Sequence, residues 1–235
     1  RHDVIKIISE SKEMVGVELG VAGGGFSKRM VESGAFEHFF GVDTYADHHD
    51  TKEYKQALRS VGMFANYKLL RMTFDEALEL FPDQSLDFVY VDGYAATGEE
   101  GGQTIFRWYN KVKVGGVLAG DDYHERWPLV MKVVNNFSKA ADLDLFVTEV
   151  TEAKEWCQYP SWAVVKKVHQ SIETPEALVK EGKIGAKDWQ TYVKNKHDKR
   201  ERHRIKWQFI NGYLKPMLPN WIISFARFLF KPKRQ

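Results

Sequence analysis

The sequence predicts an α/β fold with a doubly wound, mostly parallel sheet. Short apolar runs alternate with amphipathic segments along residues 15–168, the order expected when helices cover both faces of a parallel sheet. The run at residues 86–91 and the run at 15–19 read as buried strands. Acidic residues end several runs: Asp43, Asp92, Asp121 and Asp122. In open α/β sheets, ligands bind beyond the carboxyl ends of the strands, so these four side chains mark the functional edge.

Each element follows in order. Residues 2–11 read as a short helix, and 15–19 as a strand running into Gly20 and the cluster Gly23, Gly24 and Gly25. Residues 26–33 are helical, 39–42 form a second strand and 51–60 a second helix. Residues 67–72 form a third strand, and 75–80 a short helix closed by Pro82. Residues 86–91 form a fourth strand. Ile105, Trp108, Tyr109 and Val112 restore helical spacing. A fifth strand, 115–119, ends at Asp121 and Asp122, and 127–139 is helical. Residues 145–150 and 162–168 are expected to pair as a hairpin. Two helices close the pattern: a short one at 174–181, entered at Pro175, and a charged one near 186–210.

The composition fits a globular, non-fibrous chain of 235 residues, with 43% hydrophobic and 28% charged residues. The lone cysteine, Cys157, excludes an intrachain disulfide and a cysteine metal cage, so a reducing, cytoplasmic setting is expected. The chain starts at Arg1 and shows neither a secretory signal nor an apolar run long enough to span a bilayer, as expected for a trimmed, processed or excised segment. The formal charge of +2 hides an asymmetry. Residues 187–235 carry 13 Lys and Arg against 3 Asp and Glu, and residues 1–186 carry 21 against 29.

The segment Val17-Glu-Leu-Gly-Val-Ala-Gly-Gly-Gly-Phe-Ser27 joins the first strand to the first helix. Its glycines permit a tight turn and close backbone approach to a ligand. It departs from the dinucleotide fingerprint, because Glu18, Gly20 and Gly24 give E-x-G-x-x-x-G. Asp43 ends the next strand, where a carboxylate accepts hydrogen bonds from ribose hydroxyls or, more plainly, caps a helix.

Four motifs in this order are Glu-Leu-Gly-Val-Ala-Gly-Gly-Gly-Phe-Ser, Gly-Val-Asp-Thr-Tyr, Asp-Phe-Val-Tyr-Val-Asp-Gly and Gly-Gly-Val-Leu-Ala-Gly-Asp-Asp-Tyr. Together they resemble a class I S-adenosylmethionine-dependent methyltransferase over about residues 10–168. The resemblance is strongest to the small-molecule and sugar O-methyltransferase branch with an aspartate metal site. It implies a Rossmann-like seven-stranded sheet with an antiparallel last strand over residues 1–170; beyond the resemblance, residues 171–235 read as a basic, aromatic-rich helical extension. The resemblance further implies that Glu18 and Gly20 border the cofactor's amino-acid end, that Asp43 holds the ribose and that Met72, Thr73 and Phe74 lie near the adenine. Gly23, Gly24, Phe26, Ser27, Thr44 and Asp92 are further expected cofactor-binding residues.

Methyl transfer from a sulfonium is an in-line displacement, for which the protein supplies alignment and a deprotonated acceptor. An aliphatic hydroxyl is a poor nucleophile at neutral pH, and a divalent cation such as Mg²⁺ or Mn²⁺ lowers its pKa. By the resemblance, Asp92, Asp121 and Asp122 would bind that cation; a turn at Asp92-Gly93 and a helix cap at Asp121 or Asp122 are the plainer alternatives. Many relatives have Asp or His two residues after the first aspartate. Tyr94 stands there in this chain and is a poor base at an ordinary tyrosine pKa. His124 is the first substitute and His48 and His49 the next. Glu99 and Glu100 are weaker options for the base, because a solvated helix start explains them well. Trp127, Trp156 and Trp162 would form a stacking wall for a sugar ring or belong to the core.

The expected acceptor is a small molecule, sugar or glycan. A metal-independent methyltransferase and a non-catalytic cofactor-binding domain of a larger glycan-building protein are the alternatives. The basic tail with Trp221 to Phe230 admits three readings: a helix docked on the body or on a second subunit, a peripheral membrane anchor, or a phosphate binder. Nucleic acid ranks last, because no recognisable nucleic-acid module accompanies the run.

Overall fold

A computed structural model describes residues 4, 7, 13–46, 51–149 and 158–209. The chain falls into two compact units, residues 1–186 and 187–235. The first contains strands β1 (Met14–Leu19), β2 (Phe36–Val42), β3 (Tyr67–Leu70), β4 (Leu86–Val91), β5 (Val112–Gly120), β6 (Phe146–Val147) and β7 (Trp162–Val165). Helices α1 (Gly25–Glu32), α2 (Thr51–Ser60), α3 (Phe74–Leu78), α5 (Gln103–Tyr109) and α6 (Pro128–Ala140) lie between them, with a single turn α4 (Gly98–Gly101) before α5.

The strands form one sheet in the order β3-β2-β1-β4-β5-β7-β6. Pairs β1–β2, β2–β3, β1–β4 and β4–β5 are parallel, and β7 runs antiparallel to both β5 and β6. This is the Rossmann-like doubly wound sheet that the sequence predicts. The strand order reverses between β1 and β4, and that reversal opens the crevice in which such sheets bind ligands.

Period-2 alternation fills both faces. Val89, Val91, Leu118, Trp162 and Val164 join one core, while Phe88, Tyr90, Val117, Ala119 and Ala163 join the other. Trp162 is buried against Gly120, whose Cβ would lie 2.7 Å from the indole. It is therefore a core residue and not a wall for a sugar ring. Lys166 is buried too, and donates from Nζ to the carbonyls of Tyr109 and Val112, each at 2.9 Å. It satisfies carbonyls where α5 gives way to β5.

The two C-terminal helices expected from the sequence are one helix, α7 (Glu176–Phe209). In the first unit its opening turns bury Leu178 in the core and pair Glu181 with Lys132 of α6. In the second unit, Trp189 and Tyr192 stack at 5.4 Å. Among the described residues no helix is long and apolar enough to cross a membrane. Most of the helix expected at 2–11, and the tail segment Trp221 to Phe230, lie outside the described residues.

Candidate active site

The β1 end supplies the first wall. Glu18, 1% exposed, accepts a hydrogen bond from the Ser27 hydroxyl, which also lies 3.0 Å from the Tyr67 hydroxyl. Burial, and then the Glu18 carboxylate, push the Tyr67 phenol well above its ordinary pKa, so this group stays protonated. Gly20 has φ 92° and approaches β4 so closely that a Cβ there would overlap the Asp92 carbonyl oxygen. The Cβ of Gly25 would meet nothing within 4 Å, which leaves the backbone there open to a ligand.

Asp43 holds this loop in shape. It is 4% exposed; its Oδ2 accepts from the amides of Val21 (3.0 Å) and Ala22 (3.1 Å), and its Oδ1 from Tyr45 (2.9 Å). The Tyr45 hydroxyl returns to the Ala22 carbonyl at 2.9 Å. The carboxylate expected at the ribose thus organises the glycine loop through three backbone amides. Thr44 follows it, and its carbonyl accepts from Arg71 Nε at 3.2 Å.

The other expected cofactor residues have structural tasks. Phe26 stacks on Tyr90 at 4.1 Å inside the core. Thr73 caps α3 in a reciprocal capping box with Glu76. Phe74 packs edge-to-face on Tyr94 at 5.1 Å. Gly23 and Gly24 face α2, where their Cβ atoms would meet Gln56 at 2.8 Å and Ala57 at 3.2 Å. With no side chain larger than Val21 between residues 20 and 25, the loop suits a nucleotide-type cofactor held largely by backbone.

The β4 and β5 ends form the second wall, and its carboxylates are arranged differently from the expected metal triad. Asp121 is buried, and its Oδ1 accepts from the Ser161 hydroxyl at 3.0 Å, which in turn meets the Tyr90 hydroxyl at 2.9 Å. Asp122 has φ 60°, a left-handed backbone that separates it from its neighbour's direction. Among the described residues no group of three His, Cys, Asp or Glu side chains is placed to hold a metal ion.

The two expected proton carriers lie at the rim. Tyr94 is 37% exposed at φ 59°, and its carbonyl accepts from the amides of Thr97 (2.9 Å) and Glu99 (3.2 Å). His124 is exposed; its Nδ1 accepts from the Arg126 amide at 3.1 Å, and its ring lies 4.8 Å from that of Tyr159. His48, His49 and Trp156 lie outside the described residues.

The residue that the sequence undervalues is Glu99. A solvated helix start is expected there, yet Glu99 is 3% exposed, and its Oε2 is buried without a hydrogen-bond partner in the protein. Burial first, and then Asp122, Glu100 and Asp121, push its carboxyl well above the usual carboxylate range. The backbone is equally unusual. Gly98, Glu99, Glu100, Gly101 and Gly102 have φ of 62°, 54°, 56°, 70° and 87°, one complete left-handed turn. For an L-residue that conformation costs about 1–2 kcal/mol. The signal available in the sequence is the set of glycines around the two glutamates. The indole Nε1 of Trp127, at the start of α6, is likewise buried without a partner.

Comparison with known proteins agrees with this architecture. Residues 15–123 match a family model described as a methyltransferase domain. No curated protein matches the chain by sequence. Among solved structures, a precorrin-6y C5,15-methyltransferase from Geobacter metallireducens is 16% identical with a TM-score of 0.53, over 71% of this chain and 87% of that one. The N-methyltransferase NodS from Bradyrhizobium japonicum is 14% identical with a TM-score of 0.53, over 71% and 94%. A SAM-dependent O-methyltransferase from Thermotoga maritima is 12% identical with a TM-score of 0.51, over 73% and 66%. These structures share the fold.

Proposed function

We propose that the chain is a class I S-adenosylmethionine-dependent methyltransferase that methylates a hydroxyl of a small molecule, sugar or glycan; the match of residues 15–123 to a methyltransferase-domain model supports this reading. The observation that carries this reading is the buried Glu99 carboxyl, within electrostatic reach of Asp122 and Asp121 just after β5. A hydroxyl acceptor needs a group that takes its proton, and carboxylates perform that task. Two similar structures bear the name O-methyltransferase, which supports the reading, while others are named for carbon positions or nitrogen.

When bound, S-adenosylmethionine supplies an electrophilic methyl on sulfur. The chain's own part is placement. The 20–25 loop, shaped by Asp43, offers backbone to the cofactor, and Glu18 and Ser27 fix the β1 end. The β4–β5 edge receives the acceptor and its proton. A divalent cation, if present, would be held by Asp92, Asp121 and Asp122, and no step is routed through it.

The test is transfer from methyl-labelled cofactor to a panel of monosaccharides, oligosaccharides and catechols, with amines as controls. Label in a base-stable methyl ether, retained in EDTA, is expected. Label confined to amines would overturn the hydroxyl reading, and loss of transfer in EDTA would restore the cation.

A further inference from the structure

Resting on the hydroxyl-methylation reading, we infer that Glu99 binds the acceptor's hydroxyl and accepts its proton, on a left-handed turn braced by α7. Glu99 is 3% exposed and its Oε2 has no hydrogen-bond partner among the described residues. A carboxylate kept for structure is paired, since burying a polar oxygen without a hydrogen bond is costly. Asp122 and Asp121, which follow β5, lie within electrostatic reach of the Glu99 carboxyl, and the carboxyl ends of the strands are where such sheets bind ligands. The Glu99 amide bonds the Tyr94 carbonyl at 3.2 Å, which ties it to the segment that follows Asp92.

The turn is held by close backbone contact. A Cβ on Gly101 would overlap the Leu178 carbonyl, and one on Gly182 would overlap the Gly101 amide. Gly98 presses on Leu129 of α6, where a Cβ would come within 2.7 Å, and a Cβ on Gly185 would lie 3.0 Å from the Ala96 carbonyl oxygen. Gly182 and Gly185 fall one helical turn apart on α7, so the helix presents a side-chain-free strip to this segment. Gly182 is accordingly a positioning residue. The other proton carriers fit less well: His124 is exposed and its Nδ1 is engaged by Arg126, and Tyr94 lies at the rim.

In the step assigned here, the acceptor oxygen loses its proton to the Glu99 carboxylate and forms a bond to the methyl carbon. The carbon–sulfur bond breaks with its electron pair on sulfur, which leaves as a neutral thioether. Glu99 then returns the proton to water.

The experiment compares wild type with Glu99→Gln, Glu99→Asp and Gly182→Ala. The probes are S-adenosylhomocysteine for binding and rhamnose, N-acetylglucosamine and catechol as acceptors. Glu99→Gln is expected to lower kcat by about 10²-fold or more, with S-adenosylhomocysteine affinity unchanged. It should also raise Tm by about 2–4 °C, because a partnerless buried carboxyl is removed. Glu99→Asp should recover part of the turnover. Gly182→Ala should lower kcat and leave KM for the cofactor in place. Turnover of Glu99→Gln within about 3-fold of wild type, below the range of acid–base contributions, or a lowered Tm, would overturn the assignment. If wild type methylates only amine controls, the hydroxyl reading fails and the proton-accepting role falls with it. The sign of the Tm change then still decides whether Glu99 is a ligand-facing group or a structural one.

Discussion

On the β1–β2 side of the crevice, Glu18, Ser27 and Asp43 all have hydrogen-bond partners inside the protein; on the β4–β5 side, Glu99 Oε2 and Trp127 Nε1 have none. The first side is set before any ligand arrives, with a carboxylate clamping a glycine loop. The second carries left-handed backbone at Tyr94, at 98–102 and at Asp122. Such features cost stability and persist where the surroundings hold them, commonly at sites of function. On the proposed function, the contrast separates a wall for one constant cofactor from a wall for a particular acceptor.

The contrast breaks most sharply at Gly20. Gly20→Ala places a Cβ on the Asp92 carbonyl at φ 92°, so β1 and β4 must part. A loss of about 3 kcal/mol or more is expected, read as a lowered denaturant midpoint, together with loss of S-adenosylhomocysteine binding in calorimetry. Asp43→Ala comes next. It leaves the amides of Val21, Ala22 and Tyr45 without their acceptor, at about 1–3 kcal/mol for a buried donor left unpaired. Cofactor affinity should fall with stability, because the loop loses its shape. Equal stability with lost affinity would instead mark Asp43 as a ribose ligand only.

Glu99 should behave in the opposite sense. Its folded-state pKa is raised, so between the ordinary glutamate value and the folded value the native state holds a proton that the unfolded chain has released. Stability then falls as pH rises through that window. The stability advantage of Glu99→Gln over wild type should widen from about pH 4 upward, measured by chemical denaturation at several pH values. A gap independent of pH would mean that Glu99 is ionised in the folded protein.

The same contrast explains what was legible in the sequence. β4 and α2 fall on the residues expected, because a six-residue apolar run and a regular amphipathic decade carry their own signal. The C-terminal helix was split in expectation, because Gly182 and Gly185 weaken local helix propensity. Their reason is tertiary: each meets backbone of the 96–101 segment. Glu18 and Asp43 were legible because strand, turn and acid follow one another in the chain. The burial of Glu99 depends on residues more than 20 positions away, and a left-handed turn has no periodicity to read. Only the flanking glycines hinted at it.

The smallest expected effect tests where the cofactor wall ends. Thr73 was expected near the adenine, yet its hydroxyl donates to Glu76 Oε2 at 2.8 Å and accepts from the Glu76 amide at 3.2 Å. Glu76 in turn accepts from the Thr73 amide at 2.8 Å, and these bonds hold the Glu76 carboxyl below its ordinary pKa. Thr73→Ala should therefore cost about 1 kcal/mol as a lost N-cap. Cofactor affinity should stay within about 2-fold, less than one lost hydrogen bond would cost. Because the Glu76 pKa is lowered in the fold, the stabilisation it brings is present above the unfolded value and is lost as pH falls through the folded one. The stability difference between Thr73→Ala and wild type should shrink in acid accordingly. A drop in affinity with no change in stability would move Thr73 from the helix cap into the cofactor wall.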